Sequence, residues 1–274
     1  MRDEVLRTRA SDHTELAYRV VGDEGPWVVL VQGLSLSGRF WFEIPAKVAA
    51  LGARVIVPDN RGTGRSGRIR RPFTMSTLAD DLQAIVDHAG CDTATVVGIS
   101  MGGMIAQNFV LLHPSRVDGL VLLATTPGLP HGSLPSPFAL ADLARMPFAK
   151  GREAGEIAAR LLLSRERRGD YEALFSKWPE AFAADPQDPR TFFLQLGAIA
   201  LHSVGAKLRE VRVPTAVIAG REDRLVPFRN SEEIASRIDG AVLRLIDGVG
   251  HSLPSEVPTV VEQALQQVWA AQKA

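Results

Sequence analysis

The stretch that decides the fold runs Thr95-Val96-Val97-Gly98-Ile99-Ser100-Met101-Gly102-Gly103-Met104-Ile105. Residues 95–97 are a short apolar, β-branched run that stops at Gly98. Residues 101–112 then carry a helical pattern that ends before Pro114, since the residue ahead of a proline is biased away from helix. Between strand and helix stands Gly98-Ile99-Ser100-Met101-Gly102. A serine raised on so sharp a turn needs neighbours without side chains, because the flanking backbone passes too close. The helix beginning there aims its first N–H groups at negative charge forming beside the serine. Gly-x-Ser-x-Gly also arises in ordinary glycine-rich turns; the strand before it and the helix after it are what set this one apart.

Working outward, the same alternation repeats. Residues 5–9 and 15–20 read as two strands joined by a turn. Short apolar runs follow at 27–31, 54–57, 120–124, 215–219 and 242–246, with helical patterns at 42–51, 77–89 and 258–271 between or after them. In the helix at 77–89, Leu78, Leu82, Ile85 and Val86 form the apolar stripe, and Asp80, Asp81, Gln83 and Asp87 fall outside it. Strands buried on both faces and alternating with helices predict an α/β fold: a mostly parallel, doubly wound sheet of about eight strands with an antiparallel N-terminal hairpin. The alternation breaks at 127–208, where helical patterns at 138–145, 153–163, 170–178 and 190–202 occur without a clear strand. The expected organisation is a core of 1–126 and 209–274 with a helical lid at 127–208 inserted between two strands. The lid aromatics Phe138, Phe148, Phe175, Trp178, Phe182, Phe192 and Phe193 are expected to serve mostly in packing, some of them facing the site.

Functional groups of such sheets gather at the carboxyl ends of the strands. Gly33, Asp59, Ser100, Thr125, Asp223 and, after a short loop, His251 all fall there. Serine is inert near neutral pH without a base. Of six histidines, His13, His88 and His113 sit at turns or helix ends, and His131 and His202 border the insertion as rivals. His251, in the loop Gly248-Val249-Gly250-His251-Ser252 after the last strand, is the expected base. Asp223, after the preceding strand, is the expected acid that holds its tautomer, with the adjacent Glu222 as the alternative; Asp247 is assigned to shaping the loop. Gln32-Gly33-Leu34 follows another strand, and the N–H groups of Leu34 and Met101 are the expected oxyanion donors. Gly33, Leu34, Met101, Leu225 and Leu253 are the expected substrate contacts.

The chain resembles the α/β-hydrolase fold superfamily over essentially its whole length. The resemblance rests on Gly98-x-Ser100-x-Gly102, the order Ser100–Asp223–His251, Gly220-x-x-Asp223, Trp41 after the oxyanion loop, and the turn Asp59-Asn60-Arg61-Gly62-Thr63-Gly64-Arg65-Ser66. It is most similar to lid-bearing bacterial esterases and enol-lactonases, with cofactor-free haloperoxidases and C–C bond hydrolases nearby. That likeness implies cleavage of a small ester or lactone through an acyl-enzyme, without metal or cofactor; C–C hydrolysis and peracid formation are the alternatives on the same triad. Serine at position 100, where epoxide hydrolases and haloalkane dehalogenases have aspartate, argues against those two activities. The family usually has histidine before the oxyanion glycine, and Gln32 stands there instead.

Other function classes fit less well. Gly62-Thr63-Gly64-Arg65-Ser66-Gly67 matches a dinucleotide fingerprint, but Arg68, Arg70, Arg71 and Pro72 stand where its apolar helix should open. That arginine run is assigned to solvated surface. A non-enzymatic binding module would be signalled by loss of a triad member, and all three are present. Thirty-one basic residues balance 31 acidic ones, so no net field draws the chain to nucleic acid or acidic lipid. Cys91 is the only cysteine and is expected to be a buried structural thiol. Met1-Arg2-Asp3-Glu4 shows no signal pattern and no apolar run approaches roughly 20 residues, so a cytoplasmic protein is expected. Monomer and homo-oligomer are both compatible with the sequence.

Overall fold

The computed structural model describes residues 4–69 and 71–273; Met1 to Asp3, part of the N-terminal signal reading, and Arg70 of the arginine run lie outside the described residues. Eight strands form one sheet: β1 (Leu6–Arg9), β2 (Glu15–Val21), β3 (Trp27–Val31), β4 (Arg54–Asp59), β5 (Ala94–Ile99), β6 (Val117–Leu123), β7 (Thr215–Gly220) and β8 (Val242–Ile246). Their spatial order is β1-β2-β4-β3-β5-β6-β7-β8. The pairs β1–β2 and β2–β4 are antiparallel, and every later pair is parallel.

Side-chain alternation along the strands splits the core into two layers. Val29, Val31, Val96, Leu120 and Leu122 face α2 (Met75–His88), α3 (Met101–Leu112) and α9 (Arg229–Arg237). Val28, Leu30, Val97, Val121 and Leu123 face α1 (Ile44–Ala49) and α11 (Val260–Gln272). All residues of β5 and β7 are buried, as strands covered on both faces should be. β8 departs from that expectation: as the sheet's edge it has a neighbour on one side only, and Val242 is half-exposed.

Between β6 and β7 the chain forms α4 (Pro137–Arg145), α5 (Gly151–Leu162), α6 (Tyr171–Leu174), α7 (Trp178–Ala184) and α8 (Pro189–Ala200), and the short α10 (Leu253–Glu256) follows β8. The single helix expected over 170–178 is instead two: α6 is one turn, and a new helix starts at Trp178 with Pro179 in its first turn. Proline fits there because that N–H has no intrahelical partner, whereas inside a continuous helix it would break a bond. Among the described residues no helix is long and apolar enough to cross a membrane.

One side chain of the α2 stripe was misplaced by periodicity. Asp81, expected outside the stripe, is buried at 4% exposure. Its two oxygens accept from Nε and Nη2 of the equally buried Arg61, whose Nη1 reaches Asp12 at 2.9 Å. A buried carboxylate is stable only with such a bidentate partner, and the partner comes from the turn after β4, far away in sequence. That turn closes on itself, Gly62 N–H donating to Gly67 C=O at 3.0 Å, and no helix opens from it. Arg65, Arg68 and Arg71 are exposed. Cys91 is buried ahead of β5 and donates to Thr93 C=O at 3.4 Å, and burial pushes its thiol up to about 12.

Candidate active site

Parallel strands end in register along one edge, Ile99 opposite Leu123 and Val31 opposite Gly98. Ser100 follows β5 directly with φ +56°, the left-handed region a side chain enters only under constraint. The constraint is visible in the glycines. A Cβ at Gly98 would lie 2.3 Å from Gly102 O, and one at Gly102 would lie 2.1 Å from Val31 O. Strand, turn and helix therefore pack to a distance only glycine allows. Ser100 N–H donates to Leu123 C=O at 2.8 Å, and Thr125 Oγ1 donates to Ser100 C=O at 2.7 Å, so both sides of the turn are tied to the end of β6. Serine in the N-cap position commonly spends its hydroxyl on the helix N–H groups. Here the elbow geometry turns it away, and Ser100 makes no side-chain cap bond to α3.

His251 and Asp223 come from the loops after β8 and β7. His251 Nδ1 lies 2.7 Å from Asp223 Oδ2, with the aspartate side chain fully buried. Asp223 Oδ1 accepts from the N–H groups of Leu225 at 2.9 Å and Val226 at 2.7 Å, which fixes the carboxylate plane. A carboxylate only accepts, so His251 Nδ1–H is the donor in this pair, and Nε2 is the ring nitrogen outside it. Glu222, the alternative acid, is turned elsewhere and accepts from Arg165 N–H at 2.7 Å. Asp247 is exposed and pairs with Arg221.

The loop after β3 runs beside Ser100: a Cβ at Gly33 would stand 3.3 Å from Ser100 Cβ and 3.8 Å from its Oγ. Gly33 N–H donates to Gln32 Oε1 at 2.8 Å, and Gln32 C=O accepts from Asn60 Nδ2 at 3.0 Å. Gln32 thus holds its loop with its own side chain. Among the described residues the N–H groups of Leu34 and Met101 have no hydrogen-bond acceptor.

Ser100, His251, Gly33 and Leu34 line one cavity of about 410 Å³. Its wall is mostly apolar; the loops after β3 and β8 supply one part, and the segment between β6 and β7 supplies another, including Met146, Leu161, Leu162, Trp178, Phe182 and Phe192. Residues 26–257 match the family model for the α/β-hydrolase fold.

The chain belongs to the α/β-hydrolase fold family.

Within that family it is similar to a Mycobacterium tuberculosis protein provisionally named as the non-heme bromoperoxidase BpoC, at 30% identity over 94% of this chain and 99% of the relative. It is also similar to an Azorhizobium caulinodans protein provisionally named as the carbamate hydrolase RutD, at 29% identity over 92% of this chain and 93% of the relative. Among solved structures, a thermophilic esterase from Thermogutta terrifontis aligns over 99% of this chain and 100% of its own, with a TM-score of 0.81 and 26% identity.

The remaining family features fall as follows. Trp41 is fully buried and donates from Nε1 to Leu30 C=O at 3.0 Å, which holds the segment after the Gly33 loop on β3. Asp59 accepts from Gly38 N–H at 2.8 Å and Arg65 N–H at 2.9 Å, joining that segment to the arginine-bearing turn. Of the expected substrate contacts, Gly33, Leu34 and Leu225 line the cavity. Met101 and Leu253 do not: their side chains are buried in the layers on opposite faces of the sheet, because each sits on the inward side of a helix start. The insertion aromatics divide, with Trp178, Phe182 and Phe192 on the cavity wall and Phe175 buried beside them. Phe138, Phe148 and Phe193 are exposed, the three of the seven insertion aromatics that neither lie buried nor line the cavity. No cluster of three or more His, Cys, Asp or Glu side chains among the described residues is placed to hold a metal ion.

The rival histidines are engaged elsewhere. His131 Nδ1 meets Arg237 at 2.8 Å. His202, 4% exposed, accepts at Nδ1 from Asn108 Nδ2 at 3.3 Å, and its Nε2–H donates to Thr126 C=O at 3.1 Å. Burial pushes its pKa from 6.5 down to about 4, so the ring is neutral. The unfolded chain takes up this proton before the folded one does. The neutral ring's contribution is thus full above pH 6.5 and fades as the pH falls toward 4. The expected loss is on the order of 3 kcal/mol, from a shift of roughly two and a half units at about 1.4 kcal/mol each. Urea unfolding at stepped pH should show this slope in the wild type and a flatter one in His202→Gln; equal slopes would reject the assignment.

Two sets of contacts were invisible to motif reading. Glu256 accepts from Gly250 N–H at 2.8 Å and from Ser164 Oγ at 2.6 Å, and Ser252 N–H donates to Leu162 C=O at 2.8 Å. The His251 loop is thereby fastened to the end of α5. The second set fastens the loop after β3 to α8 and the residues before it: Ser35 N–H donates to Gln195 Oε1 at 2.7 Å and Gln187 Nε2 donates to Ser35 C=O at 3.0 Å.

Proposed function

We propose that the chain is a serine hydrolase that cleaves carboxylic esters or lactones through an acyl-enzyme. The carrying observation is a strained Ser100 sharing an apolar cavity with a histidine whose Nδ1 is held by a buried aspartate. In this reading His251 Nε2 takes the Ser100 proton as Oγ attacks the carbonyl carbon. The Leu34 and Met101 N–H groups receive the oxyanion. The same proton passes to the departing alkoxide, and water then attacks the acyl-enzyme with His251 again as base.

Residues 127–208 act as the lid in this reading, supplying the aromatic and aliphatic side of the wall against which the substrate is measured. A cavity of about 410 Å³ with leucine, methionine and aromatic walls suits an apolar acyl or alkyl group better than a small polar carbamate. The likeness to the Thermogutta terrifontis esterase supports the ester reading. Assays of p-nitrophenyl acetate, butyrate and octanoate test it. Catalysed turnover is expected, with kcat/KM rising at least about tenfold from acetate to the best longer chain, since each buried methylene contributes about 0.8 kcal/mol. Absence of turnover on all three and on γ- and δ-lactones would overturn the proposal; a flat chain-length profile would remove the lid from substrate selection.

A further inference from the structure

We propose that Gln195, on the insertion helix α8, is a positioning residue for the oxyanion loop, so that the insertion sets the geometry of catalysis as well as the shape of the cavity. The inference rests on the serine-hydrolase reading above. Gln195 is fully buried, and its amide bridges two loops of the core. Oε1 accepts from Ser35 N–H at 2.7 Å, and Nε2 donates to Arg61 C=O at 3.3 Å. Arg61 is itself immobilised by Asp81 and Asp12. From the segment preceding α8, Gln187 Nε2 donates to Ser35 C=O at 3.0 Å, and Asp185 Oδ2 accepts from Ser37 Oγ at 2.6 Å.

Ser35 follows the proposed donor Leu34 and has φ +59°. A serine persists in that region only where its surroundings over-determine it. Both of its backbone polar groups end on glutamine side chains of the insertion, 160 and 152 residues away in sequence. The Leu34 N–H therefore has one neighbour fixed by Gln32 within the loop and the other fixed by Gln195 and Gln187 across it. Oxyanion stabilisation depends on donors placed for the tetrahedral state rather than for the planar substrate. Loss of the Gln195 anchor should thus weaken transition-state binding and leave substrate binding nearly unchanged.

The test compares wild type with Gln195→Met, which preserves side-chain volume and removes both hydrogen bonds. Two quantities are read: kcat and KM on the best p-nitrophenyl ester, and the inhibition constant of the trifluoromethyl ketone bearing the same acyl chain. That ketone is attacked by Ser100 Oγ, whose proton passes to His251, giving a hemiketal oxyanion held by the same donors as the tetrahedral state of the ester. The expected result is a kcat lower by about 10- to 100-fold, a fraction of the loss of a whole donor. KM stays within about threefold, and ketone affinity falls by the same factor as kcat/KM. A folded variant that keeps both kcat and ketone affinity, or changes KM alone, would overturn the proposal. Should Gln195→Met fail to fold, Gln187→Leu, at an exposed position, decides by the same ratio: a parallel loss of about threefold or more supports it, and unchanged kinetics overturn it. A wild type that neither turns over ester nor binds the ketone would overturn both this proposal and the hydrolase reading; an active wild type with an unaltered variant overturns this one alone.

Discussion

Ser100→Ala is expected to lower ester turnover by about five to six orders of magnitude with the fold intact, the size of effect that follows removal of the nucleophile from a serine triad. The structural cost should be small. The Ser100 hydroxyl makes no cap bond to α3, and its backbone ties run through N–H and C=O, which alanine retains. Alanine and serine also pay similarly for φ +56°, so no new strain enters. Thermal denaturation should superimpose on wild type, and turnover of p-nitrophenyl butyrate should fall to the uncatalysed background plus whatever the oxyanion donors provide. Residual activity within about a hundredfold of wild type would mean that another group is the nucleophile.

The second large effect is expected at Asp223. Its Oδ1 is committed to two backbone N–H groups, so asparagine placed there keeps its oxygen on Leu225 and Val226 and turns its NH₂ toward His251. A donor at that position can be satisfied only if Nδ1 becomes the acceptor, and the ring proton then moves to Nε2. In the proposed mechanism Nε2 is the atom that takes the Ser100 proton. Asp223→Asn should therefore cost about 10⁴ in kcat while KM changes little. Glu222→Gln should stay near wild type, because that carboxylate is occupied by Arg165 N–H. Steady-state kinetics on both variants separates the two acids, and the reverse pattern would transfer the role to Glu222.

The difference between those two neighbours shows where sequence reading stops. The loop after β7 placed an acid at the right edge of the sheet, with Asp223 expected there, yet the local chemistry of Gly220-Arg221-Glu222-Asp223 left Glu222 open as the alternative. Backbone conformation decides it, and that conformation is set by Gly220, where a Cβ would fall 2.1 Å from Val249 O in the neighbouring loop. Asp81 taught the same lesson in α2: its position in the helical period marks it as a surface residue, and a guanidinium supplied from 20 residues away makes its burial stable. The split between α6 and α7 was legible in principle, since Pro179 carries the local signal for a helix start.

What the sequence determined by itself was whatever depends on local chemistry and period. Alternating short apolar runs and amphipathic helices specified the layered sheet, and Gly98-x-Ser100-x-Gly102 specified the turn, because both follow from steric and burial rules acting over a few residues. The strand order then brought Ser100, Asp223 and His251 to one edge by a general property of parallel sheets. Only the tertiary structure decided the cavity wall and the anchoring of the Ser35 loop by Gln187 and Gln195. Those are contacts between segments more than a hundred residues apart. Their partners are chosen by how the insertion packs over the sheet, and a hydrogen bond or van der Waals contact at that range leaves no periodic trace in the chain.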